Sequence, residues 1–177
     1  MFVMNTPMDM KTKEADRMAK DQSSEQRFLC EAVDLARENM RRGGRPFGAI
    51  VVKNGTVVAT GVNTTAATND PTGHAEMEAI RAASRALASP DLSGCTVYAS
   101  GHPCPMCFLA MRASGVSAVA YAYSLADAAA YGLRSAITYD DLQKPLSEQT
   151  PAMRHVPVDP GADGPLYAAF SASRPPA

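Results

Sequence analysis

TVYASGHPCPMCFLAMRAS, residues 96–114, reads as a strand, a loop and a helix in direct succession. TVYAS at 96–100 has the β-branched and aromatic content of a buried strand. Pro103 and Pro105 suit a loop and a first helical turn, and not a helix interior. The helix then runs on until Gly115 stops it. VSAVAYAYS at 116–124 follows as another strand. Upstream, HAEMEAIRAASRALA at 74–88 sets Ala75, Ala79, Ile80, Ala83 and Leu87 at a near-helical period, after the polar loop NTTAATNDPTG at 63–73. Before that loop, AIVV at 49–52 and TVVAT at 56–60 flank Lys53–Asn54–Gly55, a turn that predicts a hairpin. Phe28, Leu29, Ala32, Val33, Leu35, Ala36 and Met40 mark an earlier helix, closed by Arg41, Arg42, Gly43 and Gly44. The order helix, hairpin, helix, strand, helix, strand predicts an α/β layer structure whose mixed sheet is covered by helices.

The ends are less regular. Residues 1–24 are polar and Met-rich and read as a flexible N-terminal extension, with residues 25–177 as one domain including its tail. DAAAYGL at 127–133 predicts a short helix, and ITYDDL at 137–142 either a brief strand or the entrance to a helix. Beyond Pro145 prolines interrupt the chain, and LYAAF at 166–170 is a short segment able to dock on the core.

Composition sets the class. With 46% hydrophobic and 20% charged residues in 177, the chain can bury one sizeable core. Lys and Arg number 17 against 18 Asp and Glu, and a net charge of −1 argues against a broadly cationic nucleic-acid surface. No apolar run is long enough to suggest a membrane span, and the N-terminal stretch lacks the apolar core of a secretory signal. Four cysteines, with only Cys104 and Cys107 closely spaced, are too sparse for a disulfide scaffold. A cytoplasmic location is expected, where that thiol pair stays reduced and able to bind metal.

The chemistry concentrates in His74–Ala75–Glu76 and Pro103–Cys104–Pro105–Met106–Cys107. His74 and the two thiolates are ligands of the types zinc favours, and three of them leave a fourth position for water. Cys104 and Cys107 are i and i+3, so they converge on one helix face, while a helix N-terminus favours thiolate. Glu76, two residues past His74, can lean over a metal-bound water and carry protons without ligating the metal. Alone, a CxxC pair can be a redox site and a histidine a structural one. Together, HxE and PCxxC form the signature of zinc nucleobase deaminases. A closed structural site would need a fourth protein ligand, for which His102 is the local candidate, although it can instead face the pocket.

On GGRPFGAIVVKNG at 43–55, NDPTGHAEMEAIRAA at 69–83, PCPMCFLAM at 103–111 and YAYSLADAAAYG at 121–132, the chain resembles the cytidine/deoxycytidylate deaminase superfamily. The likeness leans toward bacterial guanine deaminases and related amino-heterocycle deaminases. It implies a cytidine-deaminase-like three-layer α/β/α fold with a central mixed five-stranded sheet, and zinc-dependent hydrolytic deamination. It assigns Zn2+ to His74, Cys104 and Cys107 and proton transfer to Glu76. It further implies that Asn63 contacts the substrate ring, that Phe47 packs against it, and that the backbone near Ala75 adds a polar contact. An amide such as that of Asn63 can donate and accept, although Asn63 also suits a turn and Phe47 a core position. The usual association of such relatives implies a homodimer.

Two departures qualify the likeness. His102 stands where relatives often carry Glu, and Arg134 and Ser135 where guanine deaminases commonly carry acidic residues, one of which recognises an exocyclic amine. Arg134 cannot make that contact, because a guanidinium has no acceptor. Asp127 precedes that position, and Tyr167 and Phe170 in the tail are candidates for supplying missing contacts or for simple docking. The expected substrate is a free purine or similar small ring, with guanine converted to xanthine and ammonia as the leading choice. Cytosine or cytidine, a pterin, a triazine, a tRNA adenosine, and a noncatalytic zinc-binding module are the competing readings. Arginines 37, 41, 42 and 45 form the one local basic cluster that an RNA reading has to use, and they equally suit a solvated helix end.

Overall fold

The computed structural model describes residues 7–133, 135, 137–159, 161 and 164–173. Helix α1 spans Pro7–Arg41, beginning with proline at a position where its missing N–H costs nothing. Of the stretch expected as a flexible extension, residues 1–6 lie outside the described residues, as does Arg134. The hairpin follows as β1 (Gly48–Lys53) and β2 (Thr56–Val62), paired antiparallel. Asn54 and Gly55 take φ of 52° and 75°, the pair of positive values that lets the turn follow the strands' twist. After the short α2 (Thr65–Thr68) come α3 (Ala75–Ala86), β3 (Cys95–Gly101), α4 (Pro105–Ala113), β4 (Ala118–Tyr123) and α5 (Leu125–Ala129).

The sheet order is β2-β1-β3-β4, with β3 antiparallel to β1 and parallel to β4. Alternation along β1 divides the core. Ile50 and Val52 point to Phe28 of α1, while Ala49 and Val51 join Ala75, Ala79 and Ala83 of α3 and Cys107 and Met111 of α4. Helix α1 therefore covers one face and α3 with α4 the other, and β1, buried on both sides, reads as a continuous apolar run. Helix α3 lies directly on β2, because a Cβ on Gly61 would collide with the backbone at Ala75 and Ala79.

The three-layer order is as expected, but the sheet has four strands among the described residues and not five. The segment 137–142, read as either a brief strand or the entrance to a helix, forms no strand: it bends at Ile137, turns at Tyr139–Asp140 and enters a 3-10 turn at Asp141–Gln143. Tyr139 does not alternate into a ladder. Its hydroxyl donates to the Pro103 carbonyl at 2.9 Å. Adjacent aspartates have poor strand propensity, and Asp141 instead pairs with Lys144 at 2.7 Å.

The described residues up to Tyr139 form one compact unit and those from Asp140 onward another. The second contains the 3-10 turns Asp141–Gln143 and Leu146–Glu148 and the helix α6 (Leu166–Ala172). Among the described residues no helix is long and apolar enough to cross a membrane.

Candidate functional site

The site lies at one end of the sheet. β2 and β3 both finish there, and the loops leaving them feed the starts of α3 and α4. His74 is the N-cap of α3, in extended backbone, and Cys104 is the N-cap of α4 with Pro105 after it. Cys107, one turn into α4, is buried. Two helix starts thus bring three ligand side chains together from sequence positions thirty residues apart.

Zinc binds thiolate sulfur at about 2.3 Å and imidazole nitrogen at about 2.0–2.1 Å, so a tetrahedral centre requires sulfur–sulfur and sulfur–nitrogen separations of about 3.8 and 3.6 Å. The sulfurs of Cys104 and Cys107 are 3.6 Å apart, and each lies 3.5 Å from Nδ1 of His74. The donor set therefore fits zinc in both chemistry and spacing. No fourth side chain joins this cluster among the described residues. His102 stands apart from it, its Nδ1 2.8 Å from the Pro103 carbonyl and its ring packed edge-on against Tyr121 and Tyr139. This removes the candidate fourth ligand of a closed structural site.

Charge is concentrated here. The Cys104 thiol is pulled down to about 4, first by the hydrogen bond from Cys107 and then by that from His74. Cys107 is pushed upward by that same donation to Cys104 and by burial. The Cys104 bond also raises His74. Glu76, 7% exposed, is raised mainly by burial, and its Oε2 lies 3.6 Å from Cys107 Sγ. A cation held by these three ligands would offset this negative charge.

Phe47 and Asn63 meet at the rim. Gly48 is opposite Val62 in the ladder, and just beyond it the Asn63 N–H donates to the Phe47 carbonyl at 3.1 Å. The Phe47 ring lies against Gly101, at the start of the loop that carries Cys104. Asn63 is buried, and its Oδ1 accepts from the Thr65 N–H at 3.2 Å and the Thr65 hydroxyl at 2.7 Å. Ala75, also buried, is the first residue of α3, where amides have no intrahelical acceptor.

The model for the cytidine and deoxycytidylate deaminase zinc-binding region matches residues 22–123. This chain belongs to that family. Guanine deaminase of Bacillus subtilis is 44% identical over 124 residues, 70% of this chain and 80% of that one. The crystal structure of guanine deaminase from Bacillus subtilis superposes with a TM-score of 0.73 at 38% identity, covering 83% of this chain and 93% of that one. A tRNA-specific adenosine deaminase of Aquifex aeolicus is 38% identical over 94 residues, 53% of this chain and 62% of that one. The chain is a zinc-dependent hydrolytic deaminase acting on an amino-heterocycle, with its metal centre at His74, Cys104 and Cys107.

Other anticipated residues of this deaminase sit elsewhere. The Asp127 carboxylate is exposed and caps α5, accepting from the Ser124 N–H at 2.8 Å and hydroxyl at 2.7 Å. Tyr167 and Phe170 are exposed on α6 within the second unit. Ser135 accepts from the Ile137 N–H at 3.3 Å. Two residues near the site were not anticipated. Tyr139 reaches the metal-binding loop through Pro103, and Asn39 donates to the backbone carbonyl of Asn63 at 2.9 Å. Neither has a sequence signal, because each contact joins distant positions.

Proposed function

We propose that this deaminase converts guanine to xanthine and ammonia, with Glu76 as the proton carrier. The observation that carries the reading is the Glu76 carboxylate, buried beside the three ligands and held up in pKa by that burial. A carboxylate so placed can take and return protons. His74, Cys104 and Cys107 would hold the zinc, which when bound would supply a water acidic enough to attack a ring carbon at neutral pH. Glu76 would take one proton from the attacking water and pass it to the neighbouring ring nitrogen, then take the proton of the newly added hydroxyl and deliver it to the departing amine. Asn63 is the substrate donor in this reading, since Thr65 occupies its Oδ1 and leaves Nδ2 for an acceptor on the ring. Phe47 packs against the ring, and the Ala75 N–H gives a second polar contact.

Likeness to guanine deaminase supports a free purine. A tRNA substrate is disfavoured because Asp34 and Glu38 lie beside Arg37, Arg41 and Arg42 and reduce the net positive charge of that cluster. A homodimer belongs to this reading, supported by exposed Phe108 and Leu109 on α4 and Tyr121 and Tyr123 on β4. So does a reducing cytoplasm, which keeps the ligand thiols available.

Ammonia release from zinc-loaded protein, across a matched panel of bases and nucleosides, tests the substrate. Selective guanine turnover is expected, and turnover of another ring alone overturns the choice of guanine. Glu76→Gln is expected to keep one zinc and lose about 10²–10⁴-fold in kcat. Near-normal turnover at full zinc content would refute the proton-carrier role.

A further inference from the structure

Asn39 sits in the last turn of α1, outside every metal or substrate contact described above. Its half-buried amide nitrogen donates to two backbone carbonyls from different parts of the chain, Arg45 at 2.8 Å and Asn63 at 2.9 Å. Arg45 opens the short stretch that ends in Phe47, and the Phe47 N–H itself donates to the Arg45 carbonyl at 2.8 Å. Both hydrogens of one amide are therefore used to hold the Phe47 stretch and the Asn63 turn at a fixed separation. The chain makes room for this arrangement at Gly44. A Cβ there would lie 2.5 Å from Asn39 Nδ2 and 2.6 Å from its Oδ1, closer than atoms can sit.

The other bonds of Asn63 show what the clasp controls. Its N–H goes to Phe47, its Oδ1 to Thr65, and its carbonyl to Asn39. Only Nδ2 is left to point at a ligand. Loss of the Asn39 bond frees the backbone that aims it, without altering any atom that touches the ring.

We infer that Asn39 is a positioning residue for substrate recognition, an amide clasp that fixes Phe47 and Asn63 relative to each other. The inference rests on the assignment of those two residues as ring contacts. It separates ring recognition from the metal centre, since neither carbonyl belongs to a zinc ligand.

Two variants break the clasp differently. Asn39→Asp keeps the side-chain shape but offers no hydrogen to either carbonyl. Gly44→Ala leaves Asn39 in the sequence and pushes its flexible amide aside. Each is expected to raise KM for guanine about tenfold, the loss of two modest hydrogen bonds, with kcat within about threefold and zinc content unchanged. Hydrogen exchange should quicken at the amides of Phe47 and Asn63 and stay as before in β3. Asn63→Ala, measured alongside, tests the underlying assignment. If Asn63→Ala raises KM while both clasp variants stay within twofold of the parent protein, Asn39 has no positioning role and the assignment stands. If Asn63→Ala leaves KM unchanged, the assignment fails and the inference with it. Should guanine prove not to be turned over, the same comparison is made with the ring that is, and a KM unchanged by both clasp variants while Asn63→Ala raises it overturns the inference.

Discussion

His74 and Glu76 are two residues apart yet serve opposite electrostatic needs. The imidazole stands at the helix start facing two sulfurs, and the carboxylate is buried one step further in. Removing His74 leaves two thiols that together provide too few ligands for tight binding. His74→Ala is therefore expected to lose zinc to a competing chelator at least tenfold more readily than the parent protein, measured as metal retained at equal competition. Full retention would remove His74 from the ligand set. The roles of His74, Cys104 and Cys107 were legible because ligand type and spacing are properties of the sequence. The place of His102 was not. Its ring nitrogen turns to the adjacent carbonyl, and Tyr121 and Tyr139 enclose it, contacts that come from other strands and loops. Asn39 was equally silent, since an asparagine near a helix end reads as a terminator until its two acceptors come into view.

Elements with strong local signals formed where expected. The Asn54–Gly55 hairpin, the proline-led α4 and the Gly115 stop depend on nearest neighbours. Helix α5 begins two residues before the expected segment because Ser124 and Asp127 close a capping box. That box gives a local prediction. Hydrogen bonds from Ser124 lower the Asp127 pKa in the folded chain, so its contribution is complete above the unfolded value of about 4 and is lost as pH falls through the lower folded value. Amide exchange within α5, corrected for its intrinsic pH dependence, should lose protection below about pH 4. In Ser124→Ala the exchange should be roughly fivefold faster at neutral pH, the usual worth of a lost cap, and this acid step should vanish. An unchanged acid step in the variant would show that the box does not control α5. Of the two readings left open for 137–142, the strand did not form, for a complementary reason. ITYDDL has alternating apolar residues at its start, but its two aspartates favour a turn and its tyrosine finds a better partner at Pro103.

At the scale of the molecule, the metal centre ties the β2–α3 connection to the β3–α4 connection, two loops with no covalent link between them. A ligand that binds only the folded state stabilises it by mass action, about 4 kcal/mol at a thousandfold excess over Kd. Chelation is thus expected to lower the thermal midpoint by about 10 °C for a chain of this size, read by calorimetry with and without added zinc. The His74→Ala protein should show little of this difference, and an equal shift in both would place the stabilising metal elsewhere. The layers themselves follow from a simple division. Alternate residues of β1 face α1 or α3 and α4, so one central strand supplies both halves of the core. By itself, the sequence determined the α/β class, the hairpin, the helices that start at His74 and Cys104, and the zinc chemistry. Each of these rests on periodicity, turn residues or ligand type, which are encoded locally. Only the tertiary structure decided the number of strands, the exclusion of His102 from the ligand cluster, the capping use of Asp127, and the meeting of Asn39 with Arg45 and Asn63. Those outcomes depend on which distant groups compete for the same hydrogen bond or the same space, and such competition is resolved only when the chain is packed.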